Sequence, residues 1–227
     1  AAGRRPDPTL AALVAPHAGY AYSGPVAAAA FALLPRAARV VLLGPSHYVP
    51  LRGLAVSSAE AWETPLGRVP VSAELRTRAL AAGAAPADLP HAHDHALEVE
   101  LPFLQRACEE GLEILPVAVG ETRPVEVAAL LAALGALAVV STDLSHYHPD
   151  AQARELDRRT AAAVLARDPD AVGPDAACGV FALRGLLEHA RRGGLDGELL
   201  DLRTSADAGG EADSVVGYGA FAFRRPR

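Results

Sequence analysis

Lysine is absent from this chain: all 21 basic residues are arginine. Asparagine is absent as well. The first absence removes Schiff-base chemistry, a P-loop lysine and a Ser-Lys dyad. Abundant alanine and a single isoleucine, Ile114, accompany it, which marks a coding bias rather than a stability device. Cysteine is scarce, at Cys108 and Cys178 only. Two thiols in 227 residues do not make a disulfide scaffold, so a reducing cytoplasm is the expected compartment. Long apolar runs are missing too. The longest covers 127–140, is too short to cross a bilayer, and is split by Gly135 into a helix-like and a strand-like half. The opening residues, AAGRRPDPTL, lack the apolar stretch of a secretion signal. Acidic and basic residues are interspersed at a net charge of −6, which argues against nucleic acid or an anionic membrane as the main partner. No GxGxxG follows the first strand, and there is no CxxC and no nucleophile elbow.

What is present is core: 51% of residues are hydrophobic, enough for a single α/β domain over 1–227. The pattern alternates. Strands are predicted at 10–16, 39–45, 53–58, 67–71, 112–120, 136–142, 197–207 and 214–223, with 59–66 a loop between two short strands. Helices are predicted at 24–34, 72–83, 96–111, 123–135, 150–167 and 178–194. Ser72 is the expected N-cap of the second, and Pro102 must sit near a kink or first turn of the third. Apolar strands without alternation argue for a mainly parallel sheet covered on both faces, with antiparallel edges near Gly67 and Val215. Sites in such sheets form beyond the carboxyl ends of strands.

His17 in APHAGYAYSG, His47 in GPSHY, and Asp143 and His146 in STDLSHYHP all fall just past a predicted strand end. Two histidines from different strands could supply two imidazoles to one metal ion, or each could cap its own strand or turn. Asp143 could orient a neighbouring histidine, ligate, or serve as an N-cap. His146 titrates near neutrality and suits acid–base work; His148, before Pro149, reads as loop. In HAHDHALEVE, Asp94 reads as an N-cap, His91 and His93 as solvated loop, and His95 as a substrate contact near a helix N-terminus. Cys178 precedes a helix, where a thiol is a nucleophile or soft ligand, or a small buried residue; Cys108, inside a helix, reads as core.

Taken together, PHAGYAYSG, GPSHY, WETPLG, DHALEVELPFLQ, STDLSHY, ACG and DSVVGYG, in that order, resemble the MEMO family, whose bacterial and archaeal members are called AmmeMemoRadiSam system protein B. The family resembles class III extradiol ring-cleaving dioxygenases in fold. The resemblance implies a three-layer α/β/α architecture with a mainly parallel, mixed central sheet. It implies a divalent metal, iron(II) first and copper or zinc next, on His17, His47 and Cys178. Asp143 and His146 stand beside the metal as catalytic residues, with His146 as acid/base; His95, Ser46 and Tyr20 are the expected substrate contacts. A cysteine stands where a glutamate completes the dioxygenases' triad, and Ala96 stands where serine is usual. The resemblance also implies a redox enzyme acting on an unidentified small molecule or peptide alongside radical-SAM system proteins. Two other readings stay open: a non-catalytic metal- or peptide-binding module, and a hydrolase with Cys178 as nucleophile.

Overall fold

A computed structural model describes residues 6–35, 39–108 and 111–226. Its centre is a nine-stranded mixed sheet. The strands are β1 (Leu10–Ala15), β2 (Arg39–Gly44), β3 (Leu54–Val56), β6 (Ala85–Pro86), β7 (Glu113–Val119), β8 (Leu137–Ser141), β9 (His146–His148), β10 (Asp196–Thr204) and β11 (Val215–Arg224). The order is β10-β11-β1-β8-β2-β7-β3-β6, with β9 paired to β11. β1, β8, β2 and β7 are mutually parallel, and these four strands are almost wholly buried. That is why their sequences run apolar without alternation. β10, at the edge, is partly exposed and carries charges.

Helices flank the sheet in two groups. α1 (Tyr20–Phe31) packs on β1, β10, β11 and α3 (Leu101–Ala107). α4 (Pro124–Leu134) packs on α2 (Ala73–Ala81) and α6 (Val180–Gly193), while α5 (Asp150–Ala166) covers β10 and β11. Gly185 lets α6 approach α4 so closely that a Cβ there would lie 2.2 Å from Val127 Cβ. α4 begins at Pro124 and ends on Gly135 at φ 59°, the expected Pro-start and Gly-stop. Among the described residues no helix is long and apolar enough to cross a membrane.

The fold corrects several expectations. The segment 59–66 is not all loop: β4 (Ala61–Thr64) and β5 (Gly67–Pro70) form a separate hairpin. The Gly67 strand is therefore no edge of the main sheet, and the antiparallel Val215 strand lies one place in from the edge. α1 starts four residues before the predicted 24, because Pro25 is accommodated inside the helix rather than opening it. Ser23 Oγ donates to Ala18 O at 2.7 Å in that first turn. The predicted 96–111 helix is a 3₁₀ turn at Glu98–Glu100 followed by α3, with Pro102 in its first turn; Glu109 and Glu110 lie outside the described residues. Ser72 stands at the N-cap of α2 without a side-chain capping bond. His148 is in β9, not in a loop.

Candidate metal centre

The register of three adjacent parallel strands sets the site. Ala15 of β1 pairs with Ser141 of β8, and Leu43 of β2 pairs with Val140. The three strands therefore finish side by side, and the loops carrying His17, His47 and Asp143 leave from one end of the sheet. Cys178 arrives from the turn before α6. Its amide donates to Asp143 O at 3.2 Å, and Gly179 N donates to Thr142 Oγ1 at 2.8 Å. Gly179 is needed there, since a Cβ would lie 2.8 Å from Thr142 Cβ.

One donor atom from each of His17, His47 and Cys178 lies within 4.8 Å of the others. Cys178 Sγ is 3.3 Å from His17 Nε2 and receives the Asp143 N–H at 3.3 Å. Two imidazole nitrogens and a thiol sulfur form a donor set suited to iron, copper or zinc rather than to magnesium or calcium. Among the described residues no fourth histidine, cysteine or carboxylate joins this group.

Each histidine is gripped differently. His17 is buried, and its Nδ1 lies 2.9 Å from Ser141 Oγ. Burial, then the neighbouring His47 and His95, lowers its pKa to about 3, so the ring is neutral. His47 is more open. Its backbone N–H donates to Asp94 Oδ2 at 2.6 Å, and its Nδ1 lies 3.0 Å from Asp94 Oδ1. Asp94 first, then the Cys178 sulfur, raises the His47 pKa to about 10. Burial alone would raise Asp94, but the His47 bonds outweigh it and bring Asp94 down to about 2. A metal on His47 must therefore displace a proton.

Among the described residues Asp143 is not part of the three-donor group, and it bonds to backbone rather than to a ring. Its Oδ1 accepts the backbone N–H groups of His17 at 2.9 Å and Ala18 at 3.3 Å, tying the His17 turn to the end of β8. Burial raises it to about 6, with the two amides pulling the other way. His146 is oriented by the Leu144 carbonyl, 2.8 Å from its Nδ1, which leaves Nε2 free. Burial lowers its pKa, and His47 adds to the effect. Of the roles open to Asp143 in the sequence, the geometry shows a carboxylate that caps backbone amides, those of the His17 turn.

Of the three expected substrate contacts, His95 stands beside this group, while Ser46 and Tyr20 are engaged with backbone elsewhere. His95 is exposed, with its ring 6.0 Å from those of His17 and His47 and nearly parallel to the latter. Ser46 Oγ closes its own turn on Val49 O at 2.7 Å. Tyr20 is exposed, and its hydroxyl is already engaged with Val99 O at 2.9 Å. A cavity of about 620 Å³ reaches Cys178 and is lined by Ser46, Leu51, Arg52, Glu121 and Phe181 among others. His91 lies apart, edge-on to Trp62, and Cys108 is buried with its thiol toward Pro35 O.

Sequence reasoning missed three contributors. The sequence marks Asp94 only as a helix cap; it does accept Ala96 N at 3.1 Å, but its main partner is His47. Ser141 and Glu100 carried no expectation. Glu100 is fully buried, with Oε1 2.8 Å from Ser141 Oγ. The available signal was a charged residue on the apolar face formed by Leu97, Leu101 and Leu104.

The pattern of Memo-like proteins matches residues 2–222. A MEMO1 family protein of Methanosarcina mazei is 37% identical over 224 residues, covering 91% of this chain and 83% of its own. Relatives under the same description are 36% identical in Methanopyrus kandleri, covering 96% and 84%, and 35% identical in Aquifex aeolicus, covering 91% and 83%. In fold the chain is similar to the crystal structure of an uncharacterized protein, JW3007, from Escherichia coli K12, with a TM-score of 0.58 at 15% identity over 92% of this chain and 99% of that one. Strand-end histidines, a cysteine turned in beside them and this breadth of similarity converge on one conclusion: the chain belongs to the MEMO family.

Proposed function

We propose that this protein is a metal-dependent oxidoreductase that binds a divalent metal, iron(II) by first choice, through His17, His47 and Cys178. The observation that carries the reading is the meeting of those three donors within 4.8 Å at the end of the parallel strands. A three-donor set leaves coordination positions open, as catalytic sites do, whereas structural zinc sites are closed by four. A metal of this kind, when bound, supplies Lewis acidity and a redox couple.

The chain's own residues divide the remaining work. His17 offers a neutral imidazole, fixed by burial. Asp94 aims His47, and Asp143 fixes the His17 turn. His146 moves a proton through its free Nε2, since Nδ1 is committed to Leu144 O. Substrate enters the cavity beside Cys178, where Leu51 and Phe181 offer apolar contact and Arg52 and Glu121 offer charge, a wall suited to a molecule with both kinds of surface. Partnership with a radical-SAM protein belongs to the same proposal, and co-purification from the native host tests it.

The direct test is anaerobic purification with measurement of metal content and dioxygen consumption. Near-stoichiometric iron, lost in His47→Ala and in Cys178→Ala, is expected. Full occupancy in the double variant sinks the assignment.

One distance favours a second reading. Cys178 Sγ and His17 Nε2, 3.3 Å apart, have the spacing of a nucleophile and its base. A thiol hydrolase of that kind keeps its activity in chelator and loses it on alkylation, and it leaves the Asp94–His47 pair without a task.

A further inference from the structure

Behind His17, away from the sulfur, a single hydroxyl has three polar neighbours. Ser141 Oγ lies 2.9 Å from His17 Nδ1, 2.8 Å from Glu100 Oε1 and 2.7 Å from the Ala96 carbonyl oxygen. A serine hydroxyl has one proton to give and two lone pairs. The Ala96 oxygen can only accept, so at 2.7 Å it must receive the Ser141 proton. Both remaining neighbours must then donate to Ser141. His17 donates only if its proton is on Nδ1, and Glu100 donates only if it is a neutral carboxylic acid with its proton on Oε1. An ionised Glu100 would instead set two acceptors against one hydroxyl proton.

The surroundings agree. Glu100 is 0% exposed, and among the described residues its Oε2 has no hydrogen-bond partner. An ionised carboxylate with one bare oxygen and no facing cation is costly, whereas a neutral acid leaves only a carbonyl unpaired. Burial, with the neighbouring Asp143, pushes its pKa well above the ordinary range, against the pull of Ser141.

We infer that Glu100 is a positioning residue that works as a neutral acid: through Ser141 it holds the His17 proton on Nδ1 and leaves Nε2 bare to face the metal. This deepens the proposed function and rests on its metal reading for the last step, although the proton placement exists without metal. A positioned imidazole tautomer is what outer partners of metal-binding histidines provide. Here the usual carboxylate or carbonyl is replaced by a hydroxyl whose proton goes to the Ala96 carbonyl, a direction that a protonated glutamate leaves uncontested.

The test has two arms. In metal-free protein, the infrared difference between wild type and Glu100→Gln is expected to show the C=O stretch of a carboxylic acid, and ¹⁵N NMR is expected to show His17 protonated at Nδ1 and bare at Nε2. A carboxylate band, or a mixed tautomer, overturns the inference whether or not metal binds. In the second arm iron(II) alone is added anaerobically. Glu100→Gln is expected to bind within about twofold of wild type, because its amide N–H₂ donates to Ser141 as the acid does. Ser141→Ala is expected to lose about 10–100-fold in affinity. A Glu100→Gln protein that folds, yet loses as much as Ser141→Ala, overturns the inference in favour of an ionised Glu100. If wild type binds no metal, the proposed function fails while the spectroscopic arm still decides the proton.

Discussion

Residues 45–48 and 144–147 end in the same three letters, Ser-His-Tyr, and both leave the carboxyl end of a buried parallel strand. Each segment is held by an aspartate from elsewhere in the chain. Asp94 takes the His47 N–H, and Asp157 of α5 takes the Ser145 N–H at 3.0 Å. The difference lies one bond further on. Asp94 also reaches the His47 ring, whereas the His146 ring leans on a neutral carbonyl. The two imidazoles are driven in opposite directions: Asp94 first takes His47 up to about 10, while burial first takes His146 down, with the Leu144 carbonyl pulling less strongly the other way. A motif supplies an imidazole at a strand end; a carboxylate on its Nδ1, or burial without one, decides whether that ring carries charge.

The comparison breaks most openly at the metal. His47→Ala removes a donor and is expected to cost more than the roughly 10–100-fold typical of an outer partner, while His146→Ala is expected to keep its iron and lose turnover. Metal analysis beside an activity assay separates the two. Equal loss of iron in both variants would make the two segments equivalent and the division of labour wrong.

Asp94→Asn sharpens the contrast by removing charge while keeping shape. Iron(II) affinity is expected to fall about 10–100-fold. Metal-free protein offers a second readout. His47 is raised, so its contribution to stability is full below the unfolded value of 6.5 and drains as pH climbs through about 10. His146 is lowered, so its contribution is present above 6.5 and is lost as pH falls below it. Urea denaturation of the apo protein should show stability falling between pH 7 and 10, and Asp94→Asn should flatten that slope; it should also remove the acid-side loss between about pH 4 and 2 that the lowered Asp94 contributes. An unchanged alkaline slope in the variant contradicts the assignment of Asp94 as the cause.

Asp157→Ala tests the other anchor. It leaves the Ser145 N–H buried without a partner, which costs about 1–3 kcal/mol of stability. Gly217 also faces Asp157, too close for any Cβ, so the β9–β11 pairing is built around this carboxylate. Turnover should fall with the stability while iron occupancy stays. Loss of iron would mean that the His146 segment helps to hold the metal.

The donors were legible because strand ends leave local marks: unalternating apolar runs that stop at Gly-Pro, Ala-Pro or Ser-Thr. Cys178 was legible only beside them, through the order of motifs. Asp94 was misassigned because its cap-like position is real but local, while His47 lies on another loop and no periodicity links the two. Ser141 looked like one more strand residue, and its importance arises from register, since β8 lies between β1 and β2 and places that hydroxyl behind His17. The β4–β5 hairpin was half missed for a similar reason. Its turn is Pro65-Leu66 rather than Asn-Gly or Asp-Gly, so the first strand carried no hairpin signal.

The smallest difference between the twins sits at their tyrosines. Tyr147 is 79% exposed and holds φ at 60°, the left-handed region, whereas Tyr48 is exposed without that twist. For a residue with a Cβ the left-handed conformation costs roughly 1–2 kcal/mol, and glycine escapes that cost while losing roughly 0.5–1 kcal/mol in chain entropy. Tyr147→Gly is therefore expected to be stabilising by about 0.5 kcal/mol, and Tyr48→Gly destabilising by a similar amount, in paired urea denaturations. The sign is the informative part. If both glycines destabilise, the Tyr147 ring makes contacts that outweigh its backbone strain, and the turn that delivers His146 is held from outside as well as by Asp157.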